Sequence, residues 1–83
     1  MNRHQLVEAL LAAGRPPASF QVAGVHAAEP PSMDFWFMRP GADGGWDVGA
    51  FERGTYDVRK HFDAENQAAA FLYKALTGHE PPA

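Results

Sequence analysis

Apolar residues recur with helical spacing near the start of the chain. A helix over about residues 3–13 places four of them on one stripe: Leu6, Val7, Leu10 and Leu11. Asn2 followed by Gln5 is the pattern of a capping box at a helix start. Gly14 suits the position after the last helical residue, and Pro16 with Pro17 prevents continuation. The chain is therefore expected to open with a short helix.

A second helical stripe lies near the end of the chain. Its members are Ala68, Phe71, Leu72, Ala75 and Leu76. Asp63 has the side chain of a good N-cap, and Glu65 in the first turn suits the helix dipole. Gly78 is a natural end point. These signals predict a helix that begins after Asp63.

Between the helices, the pattern predicts four strands. They cover residues 20–25, 33–39, 46–52 and 55–61, where aromatic and β-branched residues alternate with other types. Pro30 and Pro31 mark a loop after the first strand, and the glycine-rich segment 40–45 is a turn. Arg53-Gly54 is a two-residue connection in which the glycine can adopt positive φ. The last three strands should form an antiparallel meander.

The element order predicts an α+β fold with one layer of helices. A four-stranded antiparallel sheet with the N-terminal and C-terminal helices packed on one face would bury both apolar stripes, in the order α-β-β-β-β-α. A chain of 83 residues has room for one core, so residues 1–83 form a single domain.

Two sets of strand residues compete for the face under the helices, because alternate residues point to opposite sides. The almost purely apolar set is Met33, Phe35, Phe37, Trp46, Val48, Ala50, Tyr56 and Val58, and it is assigned to the helices. The other set would face outward: Asp34, Trp36, Met38, Asp47, Gly49, Phe51, Asp57 and Arg59. That set mixes aspartates with large apolar side chains, which is unusual for a solvated face.

An exposed apolar patch with a polar rim is typical of a surface that binds a partner. The predicted protein-binding residues are Asp34, Trp36, Met38, Asp47, Phe51, Asp57 and Arg59. Trp36 and Phe51 would be the anchors of the interface, and the aspartates would attract a basic partner. Two plainer interpretations stay open. The chain tolerates surface aromatics, or the loop at residues 26–32 covers Trp36.

Composition narrows the function classes. With no cysteine, the chain forms no disulfide and holds no metal through thiolates. No apolar run approaches the roughly 20 residues that cross a membrane, and no secretory signal pattern is present. The formal charge of −3 disfavours nucleic-acid binding. Trp36, Phe51 and Arg59 could imitate the stacking surface of a single-strand reader, but three acids share their face.

Candidate catalytic chemistry is weak. The histidines His4, His26, His61 and His79 lack the spacing of a zinc site on a helix. Asp34, Asp47 and Asp57 could act as acid and base only in a concave pocket that excludes water. The turn at 41–45 joins two strands, so it is not a phosphate loop. No catalytic residue, metal or cofactor is expected.

Three segments resemble small bacterial proteins associated with polymorphic toxin systems. They are Trp46-Asp-Val-Gly-Ala-Phe-Glu-Arg-Gly54, Phe62-Asp-Ala-Glu-Asn-Gln-Ala68 and Phe71-Leu-Tyr-Lys-Ala-Leu76. The short leading helix followed by Pro16 and Pro17 fits the same pattern, while the proline-rich stretch around Pro30 departs from it. The resemblance implies an immunity protein, a small cytoplasmic inhibitor that binds a cognate toxin and carries no catalytic residues.

The sequence thus predicts a non-enzymatic protein-binding module whose partner is a protein toxin, with no role for nucleic acid or a membrane. Two alternatives remain. The same face could pair with itself in a homodimer, or a pocket between sheet and helices could bind a small ligand.

Overall fold

The elements follow the predicted order. The computed structural model describes residues 1–28 and 34–81. It contains helix α1 (Arg3–Ala12), a short 3-10 turn (Pro17–Ser19), strands β1 (Phe20–Val22), β2 (Phe35–Pro40), β3 (Trp46–Glu52) and β4 (Thr55–Phe62), and helix α2 (Glu65–Thr77). The α+β class and the terminal positions of both helices are confirmed. Met33 and the Pro30–Pro31 segment lie outside the described residues.

The sheet is mixed, so the prediction of a fully antiparallel sheet was wrong. Its strand order is β1-β2-β3-β4, and β1 runs parallel to β2, with Phe20 opposite Trp36. The pairs β2–β3 and β3–β4 are antiparallel, as predicted.

The chain after β1 explains the parallel pair. Residues 23–25 form a tight turn in which Gly24 has a φ of 76°, and the chain folds back so that Val22 N–H donates to the carbonyl of His26 at 2.8 Å. The outer side of β1 is therefore occupied by its own continuation, while β2 pairs on the inner side. Residues 23–34 provide the dozen or so residues that a parallel connection requires.

The core lies between the helices and one face of the sheet. Its buried residues are Leu6, Leu10, Phe20, Val22, Met38, Val48, Ala68, Ala69, Leu72 and Tyr73. On α2 the predicted stripe is only partly right: Ala68 and Leu72 are buried, while Tyr73 takes the place expected for Ala75, which is exposed. Both helices contribute to this one cluster, so both cover the same face.

The two helices run side by side in the same direction. The carboxylate of Glu65, the first residue of α2, accepts a hydrogen bond of 2.8 Å from the backbone N–H of Arg3, the first residue of α1. At the opposite end, Arg15 donates to the carbonyl of Leu76 at 3.4 Å. The predicted capping box of Asn2 and Gln5 is present on α1. The predicted N-cap Asp63 is not used, because α2 begins after Ala64 without a side-chain cap.

Glu65 joins the starts of both helices. Its carboxylate also accepts from the Arg3 side chain at 3.2 Å, and that guanidinium donates to the carbonyl of Ala23 and lies 4.9 Å from the Trp46 ring. The hydrogen bond from the Arg3 backbone is the main reason that the pKa of Glu65 is lowered, and burial opposes it. One carboxylate thus stabilises two positive helix ends.

Replacing Glu65 by glutamine is expected to reduce stability in a pH-dependent way. A carboxyl group whose pKa is lower in the folded state stabilises the fold above its ordinary pKa of about 4.3 and loses that effect as the pH falls through the folded pKa. Near pH 7 the Glu65→Gln variant should be about 1 kcal/mol less stable than wild type, because a charged hydrogen-bond acceptor is lost. Urea unfolding between pH 7 and pH 3 measures the difference.

The same titration contains its own control. Below the folded pKa of Glu65, the wild type and the variant should unfold at the same urea concentration. Glu8→Gln, at an exposed position of α1, should follow the wild type throughout. A stability difference that does not change between pH 7 and pH 3 would show that the charge of Glu65 is irrelevant.

Candidate functional site

The residues predicted to face outward do not share one face. Trp36 lies opposite Ala50 and Met38 lies opposite Val48, so both point towards the helices. Met38 is fully buried in the core, and Trp36 is half-buried against it. Trp36 and Met38 are therefore corrected to the helix side of the sheet and cannot anchor a partner on the open face.

The remaining predicted residues lie in three different places. Asp47 and Phe51 do lie on the open face. Asp57 and Arg59 lie on β4 towards the helix side, where they form an ion pair of 2.6 Å. Asp34 is exposed immediately before β2.

The pairing of faces between strands was wrong at β3. Phe35, Phe37, Tyr56 and Val58 do share a face, but it is the open face and not the helix side to which they were assigned, and their partners on β3 are the odd-numbered residues 47, 49 and 51. A shift of one residue in register moves every side chain of a strand to the other face. Because β2 is apolar on both sides, its pattern did not reveal which β3 residues join it.

An aromatic patch covers the open face of the sheet. It consists of Phe35, Phe37, Phe51, Tyr56 and Val58. Phe35 and Phe51 stack with ring centroids 4.7 Å apart, and Tyr56 meets Phe51 at 4.7 Å and Phe37 at 5.0 Å. Phe37 is only 1% exposed, whereas Tyr56 and Val58 are 39% and 43% exposed. The patch therefore has a buried centre and an accessible rim along β4.

Gly49 makes the centre of this patch possible. It lies between Phe37 of β2 and Val58 of β4 and has no side chain to separate them. Tyr56 can therefore reach across β3 and contact Phe37 edge-on. The backbone of β4 also approaches closely, since a β-carbon at position 49 would overlap the carbonyl oxygen of Asp57.

Polar groups frame the aromatic patch. The Tyr56 hydroxyl donates to Gln21 at 3.1 Å, and the Arg39 guanidinium lies 4.7 Å from the Tyr56 ring. Nδ1 of His61 donates to the carboxylate of Asp47 at 2.7 Å. These contacts hold the rings in place and leave their outer edges accessible.

A small recess lies at the end of the sheet where β2 begins and β3 ends. Its volume is about 190 Å³, and its lining consists of Ser19, Asp34, Phe35, Trp36, Ala50, Phe51, Glu52 and Leu76. We call it the end recess. Phe35 and Phe51 belong both to the lining of the end recess and to the aromatic patch. Asp34, Trp36 and Phe51, which face alternation had placed on one face of the sheet, thus meet in the lining of this recess.

The three aspartates that could have formed an acid–base site are not brought together. Asp47 accepts a hydrogen bond from His61 on the open face, Asp57 forms an ion pair with Arg59 on the helix side, and Asp34 precedes β2. Within the described parts of the chain, no group of three or more His, Cys, Asp or Glu residues is placed to hold a metal ion. The hydrogen bond of Asp47 to His61 was not predicted from the sequence; only the register of β3 with β4 would have revealed it.

Comparison with known proteins adds no assignment. No protein-family model, curated protein or solved structure matches this chain. Among residues 1–28 and 34–81, no helix combines the length and the hydrophobicity needed to cross a membrane. The site is therefore interpreted from its own geometry.

Proposed function

We propose that this chain is a non-enzymatic protein-binding domain whose open sheet face docks a partner protein. The aromatic patch carries this proposal. Its rim exposes Tyr56 and Val58 on the side of the sheet that the two helices do not cover. Aromatic side chains are enriched at protein interfaces, and rigid rings lose little conformational entropy when a partner binds.

A different protein is a better partner than a second copy joined edge to edge. The outer strand β4 carries Asp57, Arg59 and Lys60 and a register irregularity opposite Val48 and Gly49. Charged residues and bulges on an outer strand hinder pairing with another sheet. The other outer strand, β1, has only three residues, and Val22 is already bridged to His26. These features favour docking on the face.

For the partner, we propose a bacterial toxin that this domain neutralises in the cytoplasm as an immunity protein. The resemblance of residues 46–54, 62–68 and 71–76 to such inhibitors supports this identity. The chain's formal charge of −3 would speed its encounter with a basic toxin. Inhibition of this kind needs a binding surface and no catalytic residue.

Replacing Val58 by glutamate is expected to abolish protection. The toxin candidate is the product of the gene directly upstream, expressed alone or with this chain in a bacterial host. Burying an unpaired carboxylate in the interface should weaken binding by roughly 30-fold or more, as for a hot-spot residue. Growth rescue and isothermal titration with the purified pair measure the loss.

Leu11→Glu provides the matched control. Leu11 is 45% exposed on α1, a similar exposure to Val58 but away from the open face, so this variant should bind and rescue like wild type. Equal behaviour of the two variants would contradict docking on the aromatic patch. Light scattering of the isolated chain tests the homodimer alternative, which predicts a dimer that Val58→Glu dissociates.

A further inference from the structure

The turn between β2 and β3 contains the only Asp-Gly dipeptide of the sequence. Asp43 is followed by Gly44, whereas the other aspartates are followed by phenylalanine, valine or alanine, and neither asparagine precedes a glycine. Glycine has no side chain to obstruct its own backbone nitrogen, so that nitrogen can approach the carboxyl carbon of the preceding aspartate. The dipeptide is therefore a candidate for a reaction of the chain with itself.

The structure leaves both reacting groups accessible. Asp43 and Gly44 are exposed. Among residues 1–28 and 34–81, the Asp43 side chain has no hydrogen-bond or ion-pair partner. The Gly44 N–H donates to the carbonyl of Gly41 at 3.3 Å, which is long for a backbone hydrogen bond. No strong contact therefore holds the carboxyl group or the amide away from the other.

The backbone around the dipeptide has unusual freedom. Gly44 and Gly45 both have positive φ, at 96° and 67°, a region that glycine enters without steric cost. A β-carbon at position 44 would meet no atom within 4 Å. The space around Gly44 is thus open to the five-membered ring that would form between its nitrogen and the Asp43 side chain.

We propose that Asp43 is a site of spontaneous isoaspartate formation and hence a substrate for an isoaspartyl methyltransferase. First, the Gly44 nitrogen attacks Cγ of Asp43: a C–N bond forms, a C–O bond breaks, and one water molecule leaves. Water then adds to the main-chain carbonyl carbon of Asp43 and breaks its bond to the Gly44 nitrogen. The chain now continues through the Asp43 side chain and carries a free α-carboxylate, and no oxidant or reductant is needed.

The product would alter the turn and its packing against β4. The new linkage adds one methylene to the backbone of a turn that is closed by a hydrogen bond of 3.0 Å from the Gly41 N–H to the Gly45 carbonyl. Gly45 lies against His61, since a β-carbon at position 45 would stand 2.7 Å from its Nε2. His61 in turn donates to Asp47. The lengthened turn should therefore displace the His61 ring beside the aromatic patch.

Ageing of the purified chain tests the proposal. The folded chain is kept near neutral pH at physiological temperature for several weeks and then digested with endoproteinase Asp-N, which cleaves before aspartate but not before isoaspartate. We expect a growing amount of the uncut peptide 34–46, while cleavage before Asp47, Asp57 and Asp63 stays complete. The same peptide should accept a methyl group from S-adenosylmethionine when an isoaspartyl methyltransferase is added.

Two variants at position 43 separate this reaction from other damage. Asp43→Asn reacts through the same ring and should accumulate isoaspartate faster than wild type, because ammonia leaves more readily than hydroxide. Asp43→Glu would have to close a larger ring and should lose nearly all of the methyl acceptance. In NMR spectra the His61 ring signals should shift on ageing of the wild type and stay in place on ageing of Asp43→Glu.

The chain unfolded in urea provides the reference for the folded state. Accumulation at position 43 in both states supports the proposal. If the unfolded chain accumulates isoaspartate there and the folded chain does not, the turn protects the dipeptide and the inference is wrong. Equal methyl acceptance by aged wild type and aged Asp43→Glu would also overturn it. None of these outcomes depends on the identity of the proposed partner.

Discussion

Alanine at position 49 will destabilise the fold far more than the addition of one methyl group usually does. Its β-carbon would overlap the carbonyl oxygen of Asp57 and lie 2.9 Å from the α-carbon of Val58, and both are backbone atoms that cannot rotate away. β3 and β4 must therefore separate locally, at a cost of about 3 kcal/mol. In a domain of this size the melting temperature should fall by roughly 15 °C.

Gly44→Ala separates this steric effect from backbone strain. Gly44 has a φ of 96°, but a β-carbon there would meet no atom within 4 Å. The expected loss is about 1 kcal/mol, the strain of a left-handed conformation. Thermal and urea unfolding of both variants measure the comparison. If Gly49→Ala proves no more harmful than Gly44→Ala, the close approach of β4 to Gly49 is not a constraint on the fold.

Phe37→Ala will cost about 3 kcal/mol, although Phe37 lies on the face that the helices leave open. Its ring is only 1% exposed, because Tyr56 meets it edge-on at 5.0 Å and the Arg39 guanidinium lies 4.9 Å from its centroid. Removing the ring leaves a cavity at the centre of the aromatic patch. The patch should therefore behave as a second small core, and its loss should be visible in urea unfolding.

Phe37→Leu and Val58→Ala complete this test. Leucine retains most of the apolar volume, so the first variant should lose about 1 kcal/mol. Val58 is 43% exposed, so its truncation should cost less than about 1 kcal/mol. A Phe37→Ala variant as stable as Val58→Ala would mean that the open face is an ordinary surface and that its rings are not ordered by one another.

The local signals of the sequence predicted the elements well. Short-range signals mark the helix ends correctly: the capping box of Asn2 and Gln5 starts α1, and Gly14 and Gly78 follow the ends of the two helices with positive φ. Each of these signals acts on only a few neighbouring residues. The Arg53-Gly54 turn is another such signal, with φ values of 53° and 80° at its two residues. Asp63 is an exception, because it has the side chain of an N-cap but does not cap α2. The carboxylate that lies at the helix starts is that of Glu65, which accepts a hydrogen bond from the backbone N–H of Arg3.

The sequence was a poorer guide to which residues lie on each face of the sheet. The Arg53-Gly54 turn places Phe51 opposite Tyr56, and this would have put both residues on one face had the register been worked out. The β2–β3 register depends on a longer glycine-rich turn, whose geometry the residue types alone do not define. The direction of β1 depends on how the chain turns back after Val22. That turn is determined by tertiary contacts and not by the residue types of β1 alone.

The residues of the candidate site were also predicted only in part, because they depend on the assignment of faces. The prediction for the open face was wrong for most of its residues. Phe51 and Asp47 do lie there, but Trp36 and Met38 lie on the helix side, and the apolar residues Phe35, Phe37, Tyr56 and Val58, which were assigned to the helix side, form the open aromatic patch. The residue types at Asp34, Trp36 and Phe51 suggested a mixed acidic and aromatic surface. Only the three-dimensional arrangement shows that these three meet at the end of the sheet.

The parallel course of α1 and α2 has a practical consequence for engineering the chain. Arg3 and Thr77 mark opposite ends of the helical layer, separated by the length of α2, which at 13 residues is about 20 Å. A circular permutant that joins these ends needs a linker of at least about six extended residues. Fluorescent dyes placed at the two ends would sit far enough apart for energy transfer to report unfolding, without obstructing the aromatic rings on the other side of the sheet.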